Sequence, residues 1–153
     1  MYVKYHITIG LIATLIILLA FPPIGWFYAL IIFLASFLID FDHYLWYAVK
    51  KGDWNPFNAY RWMIKKTSFF RAMDLKERMK YKTFIMIFHG IECWILLALL
   101  IFVHKIFLFV LIGVFIHMVL DFIDLYAWQT PFYTKISQVY TYIKNKKKKK
   151  VIK

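Results

Sequence analysis

The chain has 153 residues, 63% of them hydrophobic and 22% aromatic, with a formal net charge of +12 and a mean hydropathy of +0.62. These values exclude an ordinary soluble globular domain and describe an integral membrane protein. The single cysteine, Cys93, excludes an intrachain disulfide and a thiolate cage, so any metal has to be held by nitrogen and oxygen.

Lysine and arginine are absent between Lys4 and Lys50, Lys82 and Lys105, and Lys105 and Lys135. These gaps predict four spans long enough for a hydrocarbon core about 30 Å thick. The first runs from about Tyr5 to Phe21; it lacks a small-x-small cleavage site and ends at Phe21-Pro22-Pro23, so it reads as a retained helix. A break at Pro22-Pro23-Ile24-Gly25 leads to the second, from about Gly25 to Tyr47.

Ten basic residues between Lys50 and Lys82 alternate with Trp54, Phe57, Tyr60, Trp62, Phe69 and Phe70, a mixture suited to the headgroup zone. A short helix over 67–80 is expected there, with Thr67 or Ser68 as its cap and Asp74 paired to Arg78. The third and fourth spans, about Thr83 to Val103 and Ile106 to Ala127, are joined around His104-Lys105. Eight basic residues follow from Lys135 onward. Residues 131–153 read as a basic tail whose end, Lys146 to Lys150, repels itself and is expected to be disordered against anionic lipid. Nucleic acid is disfavoured, because no nucleic-acid fold accompanies the run.

With the basic residues concentrated in the 50–82 loop and the tail, the positive-inside rule puts both on the cytoplasmic side. The expected fold is all-α: a four-helix membrane domain over 1–130, built of two antiparallel hairpins, multi-pass in the cell membrane with both termini cytoplasmic. Assembly as a homo-oligomer stays open.

Each span also carries ionisable side chains, at a cost of roughly 2.5 to 3.5 kcal/mol apiece on insertion scales. They are His6; Asp40, Asp42 and His43; His89 and Glu92; and His117, Asp121 and Asp124. Counting outward from the two turns places His6 level with Asp40 and Asp42, Glu92 level with His117, and His89 beside Asp121. At about 1.5 Å per residue the groups form one layer near the cytoplasmic edge of the core. Asp40/His43, His89/Glu92 and His117/Asp121/Asp124 each fall on one helix face, whereas Asp42 does not share the face of Asp40 and His43. Asp42 therefore marks a helix end or orients an imidazole. A wet helix end or a satisfied polar network explains any single helix. The joint layer points instead to a metal site of the kind helical bundles build from carboxylates and imidazoles. His104, in the outer turn, is a bystander.

The motifs His6-x-x-x-Gly10, Asp40-x-Asp42-His43 and His117-x-x-x-Asp121 resemble those of the membrane-bound metal-dependent hydrolases of the inner membrane, over about Tyr5 to Asp124. The ordered His and Asp pattern also resembles, more distantly, the helical zinc-dependent phospholipase C and nuclease fold. The resemblance implies a metal-dependent hydrolase of the cytoplasmic membrane. Many members carry a longer histidine-rich third helix, where this chain has Phe88-His89-Gly90-Ile91-Glu92. Glu92 then either stands in for a second histidine or marks the loss of a metal or an activity.

The expected ligands are His6, Asp40, Asp42, His43, His89, Glu92, His117 and Asp121. They are enough for one or two divalent ions, zinc first and manganese or iron also compatible. Glu92 or Asp42 is the expected general base, and the basic loop favours a phosphoester, such as a lipid headgroup, as substrate. A metal ion or proton transporter is the first alternative, although such sites usually lie at the bilayer midplane. A non-catalytic scaffold with a lipid-binding tail is the second.

Overall fold

In the computed structural model, which describes residues 3–148, the ordered elements are helices and no strand forms among those residues. They are α1 (Val3–Ala20), α2 (Gly25–Leu38), α3 (Phe41–Lys51), α4 (Pro56–Arg71), α5 (Leu75–Arg78), α6 (Ile91–Ile101), α7 (Ile106–Ala127), α8 (Tyr133–Ile136) and α9 (Gln138–Lys146). Three helical stretches among the described residues are long and apolar enough to cross a membrane: Val3–Ala20, Pro22–Lys51 and Ile106–Ala127.

The centre is α2, which packs along both α1 and α7. Residues of α1 are buried at every fourth position, His6, Gly10, Thr14 and Leu18, a single stripe along one helix face. Its other faces expose Leu11, Ile12, Leu15, Ile16 and Leu19, apolar surface suited to lipid. Lipid offers no hydrophobic drive for helices to associate, so the close contacts depend on small residues. A Cβ at Gly113 would collide with the Ile32 carbonyl oxygen and lie 2.6 Å from Ala35 Cβ; one at Gly10 would collide with Ser36 Oγ. Beyond these contacts Tyr28 stacks on Phe109 at 4.1 Å between ring centroids.

The second span is interrupted where its polar residues begin. Asp40 N–H donates to Phe37 O and His43 N–H to Asp40 O at 3.2 and 3.0 Å, three-residue bonds that tighten the chain at Ile39-Asp40 and re-aim α3. Gly52, with φ of 66°, ends α3 in the left-handed region. Asn55 then caps α4 by accepting from the Phe57 and Asn58 amides, and Pro56 occupies the first turn. The long loop helix therefore runs over Pro56–Arg71, not over 67–80. The expected caps Thr67 and Ser68 are inside it, and Arg78 donates to the Trp128 carbonyl at 2.7 Å.

The predicted third span does not form one helix. Residues 83–86 form no regular element, Ile87–His89 makes a short 3₁₀ turn, and only Ile91–Ile101 is α-helical. Side chains elsewhere satisfy the backbone groups released. Asn145 accepts from Thr83 N and donates to Thr83 O at 2.9 and 2.7 Å; Gln138 accepts from Met86 N at 2.9 Å; Asp42 accepts from Phe88 N at 3.2 Å. Such replacements make a non-helical segment tolerable beside a membrane.

Two of those partners lie on α9, within the segment expected to be a plain basic tail. Gln138, Thr141 and Asn145 are its buried face, while Val139, Tyr140, Tyr142 and Ile143 are exposed. Lys146 ends this helix. Of the Lys146 to Lys150 run expected to be disordered, Lys149 and Lys150 lie outside the described residues, as do 151–153.

Candidate metal centre

The break after α2 and the turn before α6 bring the polar residues of four segments together. His6, His89 and His117 are fully buried, and Asp121 and Asp42 nearly so. At the middle are four atoms: His89 Nε2, His117 Nε2, Asp40 Oδ1 and Asp121 Oδ2. The two nitrogens are 3.2 Å apart. His89 Nε2 lies 3.3 Å from Asp40 Oδ1 and 3.6 Å from Asp121 Oδ2. His117 Nε2 lies 3.6 and 3.3 Å from the same two oxygens.

The far side of each ring decides what these nitrogens present. His117 Nδ1 is 3.0 Å from the Ser36 carbonyl oxygen, which can only accept, so Nδ1 carries the proton. His89 Nδ1 likewise faces the Asp42 carboxylate at 3.1 Å. In the neutral rings both Nε2 atoms then hold lone pairs directed at each other and at two carboxylates. Four acceptors this close need a cation or a shared proton among them.

Its dimensions suit a metal. Bonds of about 2.0 to 2.2 Å at tetrahedral angles give donor separations of about 3.3 to 3.6 Å, close to the 3.2 to 3.6 Å between each nitrogen and its neighbours here. Nitrogen and carboxylate oxygen without sulfur is a donor set for zinc, manganese or iron. Two further imidazoles flank the knot. His6 stacks on His117 at 4.0 Å, its Nε2 is 3.6 Å from Asp121 Oδ1, and both its nitrogens are buried without a hydrogen-bond partner. His43 meets His89 edge-on at 5.0 Å. Potential donor atoms within 4.8 Å of one another recur in the groups His6/Asp40/His117, Asp40/His43/His89 and His89/His117/Asp121. Each pair of groups shares a residue, so the six side chains form one site.

Two expected members occupy other positions. Asp42 accepts from His43 Nδ1 at 2.8 Å, from His89 Nδ1 and from Phe88 N, so both its oxygens are engaged in orienting the histidines. Glu92 is not among the six. Its carboxylate accepts from Ser137 Oγ, Gln138 N and Val139 N at 2.7, 3.2 and 3.2 Å, anchoring the start of α9. The His89–Glu92 spacing assumed a continuous helix, and the turn at Gly90 separates the two directions. Asp124 also stands apart, paired with Arg71 at 2.8 Å.

Sequence reasoning missed Lys135. Its Nζ lies 2.8 Å from Asp121 Oδ2, delivered from the tail by α8. The signal that could have found it is the Gln138, Thr141, Asn145 stripe, a polar face at helical spacing that must pack against something. The site also has an outlet: of the six residues, His43 alone lines a cavity of about 260 Å³ between α4 and the ends of α7 and α9.

No protein-family model, curated protein or solved structure matches the chain.

Proposed function

We propose that the protein is a metal-dependent hydrolase of the cell membrane that cleaves a phosphoester at the cytoplasmic leaflet. The observation that carries this reading is the convergence of acceptor atoms on Asp40, His89, His117 and Asp121, with each imidazole nitrogen 3.2 to 3.6 Å from the other and from both carboxylates. Its motifs also resemble those of membrane-bound metal-dependent hydrolases. We further propose that α1, α2, α6 and α7 form the membrane bundle, with both termini and the 50–82 loop cytoplasmic. The concentration of basic residues in the loop and tail supports that orientation.

His89, His117 and Asp40 would hold the ion, zinc being the best match to the donor set and separations. The chemistry such an ion supplies is a water acidified from 15.7 toward about 7 and polarisation of the bond under attack. A catalytic site has to keep one position for that water. Lys135, bound to Asp121 Oδ2, would compete with an ion for that carboxylate and leave the fourth position to water. Asp42 fixes His89 and His43 in orientation. His43 donates Nδ1–H toward Asp42 and lines the cavity, so we assign it to moving a proton to the leaving group.

The test is elemental analysis of gently extracted, washed wild-type protein beside an Asp40→Ala/His117→Ala variant, followed by a phosphoester panel. About one tightly held ion per chain in the wild type, absent in the variant, with metal-dependent phosphoester cleavage, is the expected result. Equal metal in both would reject the site.

A further inference from the structure

The cavity beside His43 carries more than a hydrolytic site needs. Its walls combine Met63, Phe70 and Phe84 with Arg78, Lys82 and Lys148. Five basic residues line it against one carboxylate, Asp124, and Arg71 already pairs with that one. Arg78 gives Nη2 to the Trp128 carbonyl while its Nε is buried with no hydrogen-bond partner, an unmet donor. Burial holds the Lys148 amine below its ordinary pKa; burial, and then neighbouring Lys51, do the same to Lys66. A bound anion would relieve all of these.

The position of the cavity specifies the kind of anion. Asp124 on α7 and Trp128 just past its end follow Asp121, so the cavity begins just beyond the candidate metal centre on its α4 side. The outer surface of α4 exposes Phe57, Tyr60 and Phe69, which suits a headgroup-level position. A volume of about 260 Å³ is small for a complete ligand pocket. It fits a phosphate head and the start of a chain whose remainder stays in the bilayer.

We propose that this cavity binds an anionic phospholipid, its phosphate on Arg78, Lys82 and Lys148 and its chain along Met63, Phe70 and Phe84. Resting on the hydrolase reading, this makes a lipid phosphoester the substrate and His43 the group that meets it.

The test uses the purified full chain in zwitterionic detergent, titrated by calorimetry with dihexanoylphosphatidic acid, glycerol 3-phosphate and dihexanoylphosphatidylcholine, with metal content measured on the same samples. Phosphatidic acid should bind about tenfold or more tightly than either of the others. Lys82→Ala, which removes a cation, and Met63→Trp, which fills the apolar part with every charge in place, should each weaken it by about tenfold. Because the two variants perturb different chemistry, one that fails to fold leaves the other decisive. Equal binding of glycerol 3-phosphate and phosphatidic acid overturns the lipid assignment; binding unchanged in a folded variant overturns the cavity. Retained metal with no lipid binding rejects the cavity and leaves the hydrolase reading. Lipid binding without metal does the reverse.

Discussion

The outer and inner halves of the helical core follow opposite rules. Outward of Gly10 and Gly113, α1, α2 and α7 meet through apolar and aromatic contacts such as Tyr28 on Phe109. Inward, the same three helices meet through imidazoles and carboxylates. The boundary between the halves is a ring of small residues, each four positions from a site residue in sequence: Gly10 with His6, Ser36 with Asp40, Gly113 with His117. Close approach at that ring lets the candidate ligand atoms converge, and the Ser36 carbonyl sets the His117 tautomer directly. The outer half thus acts as a spacer for the inner one.

The comparison breaks most sharply at the ligands. His117→Ala should abolish tight metal binding in elemental analysis and lower phosphoester hydrolysis by about 10³-fold or more. A volume-conserving Leu→Met change in the outer half, such as Leu15→Met, should leave both nearly unchanged. Retained metal in His117→Ala would remove the basis for treating the inner layer as a site.

Substitution in the ring tests whether the two halves are linked. Gly113→Ala puts a methyl against the Ile32 carbonyl and 2.6 Å from Ala35 Cβ, backbone and short side chain that cannot swing aside. A loss of about 1 to 3 kcal/mol in unfolding stability is expected, with weaker metal retention. Gly10→Ala meets chiefly the Ser36 side chain, which can rotate, so its effect should be smaller. A larger effect at Gly10 than at Gly113 would contradict the proposed role of the α2–α7 contact.

A milder perturbation leaves packing alone. Asp42→Asn keeps the shape but removes the charge that orients His43 and His89, and should weaken metal affinity by about 10- to 100-fold in chelator competition. Lys135→Met acts in the other direction. Without an ammonium on Asp121 that carboxylate can close the fourth position, so metal should bind up to about tenfold tighter while hydrolysis falls. Looser metal in Lys135→Met would refute that role.

Much of the inner layer was legible because hairpin geometry is simple. Counting from Pro23-Ile24 placed His6 beside Asp40, and the i,i+4 spacing of His117 and Asp121 survives in a continuous α7. Counting failed on the third segment for a definite reason: it presumes an α-helix, and residues 83–90 are not α-helical. Their backbone is satisfied by Asp42, Gln138 and Asn145, the latter two 52 and 62 residues away from their partners. Pairing at that range leaves little local trace. Asn55-Pro56 signals the start of α4, but the Asp74/Arg78 spacing is an equally local helix signal and points to a later stretch.

Glu92 gives the finest test of the division. Its carboxylate accepts from Ser137 Oγ and two amides at the start of α9, the first-turn donors a helix cannot satisfy itself. Glu92→Gln keeps the size and removes the charge that strengthens those bonds, a loss of about 1 to 2 kcal/mol. The loss should appear as faster amide exchange over Gln138–Lys146, with metal content equal to the wild type. Were Glu92 a ligand, the order would be inverted, with metal lost and α9 exchange unaltered. The two outcomes separate a residue that secures the tail from one that belongs to the site.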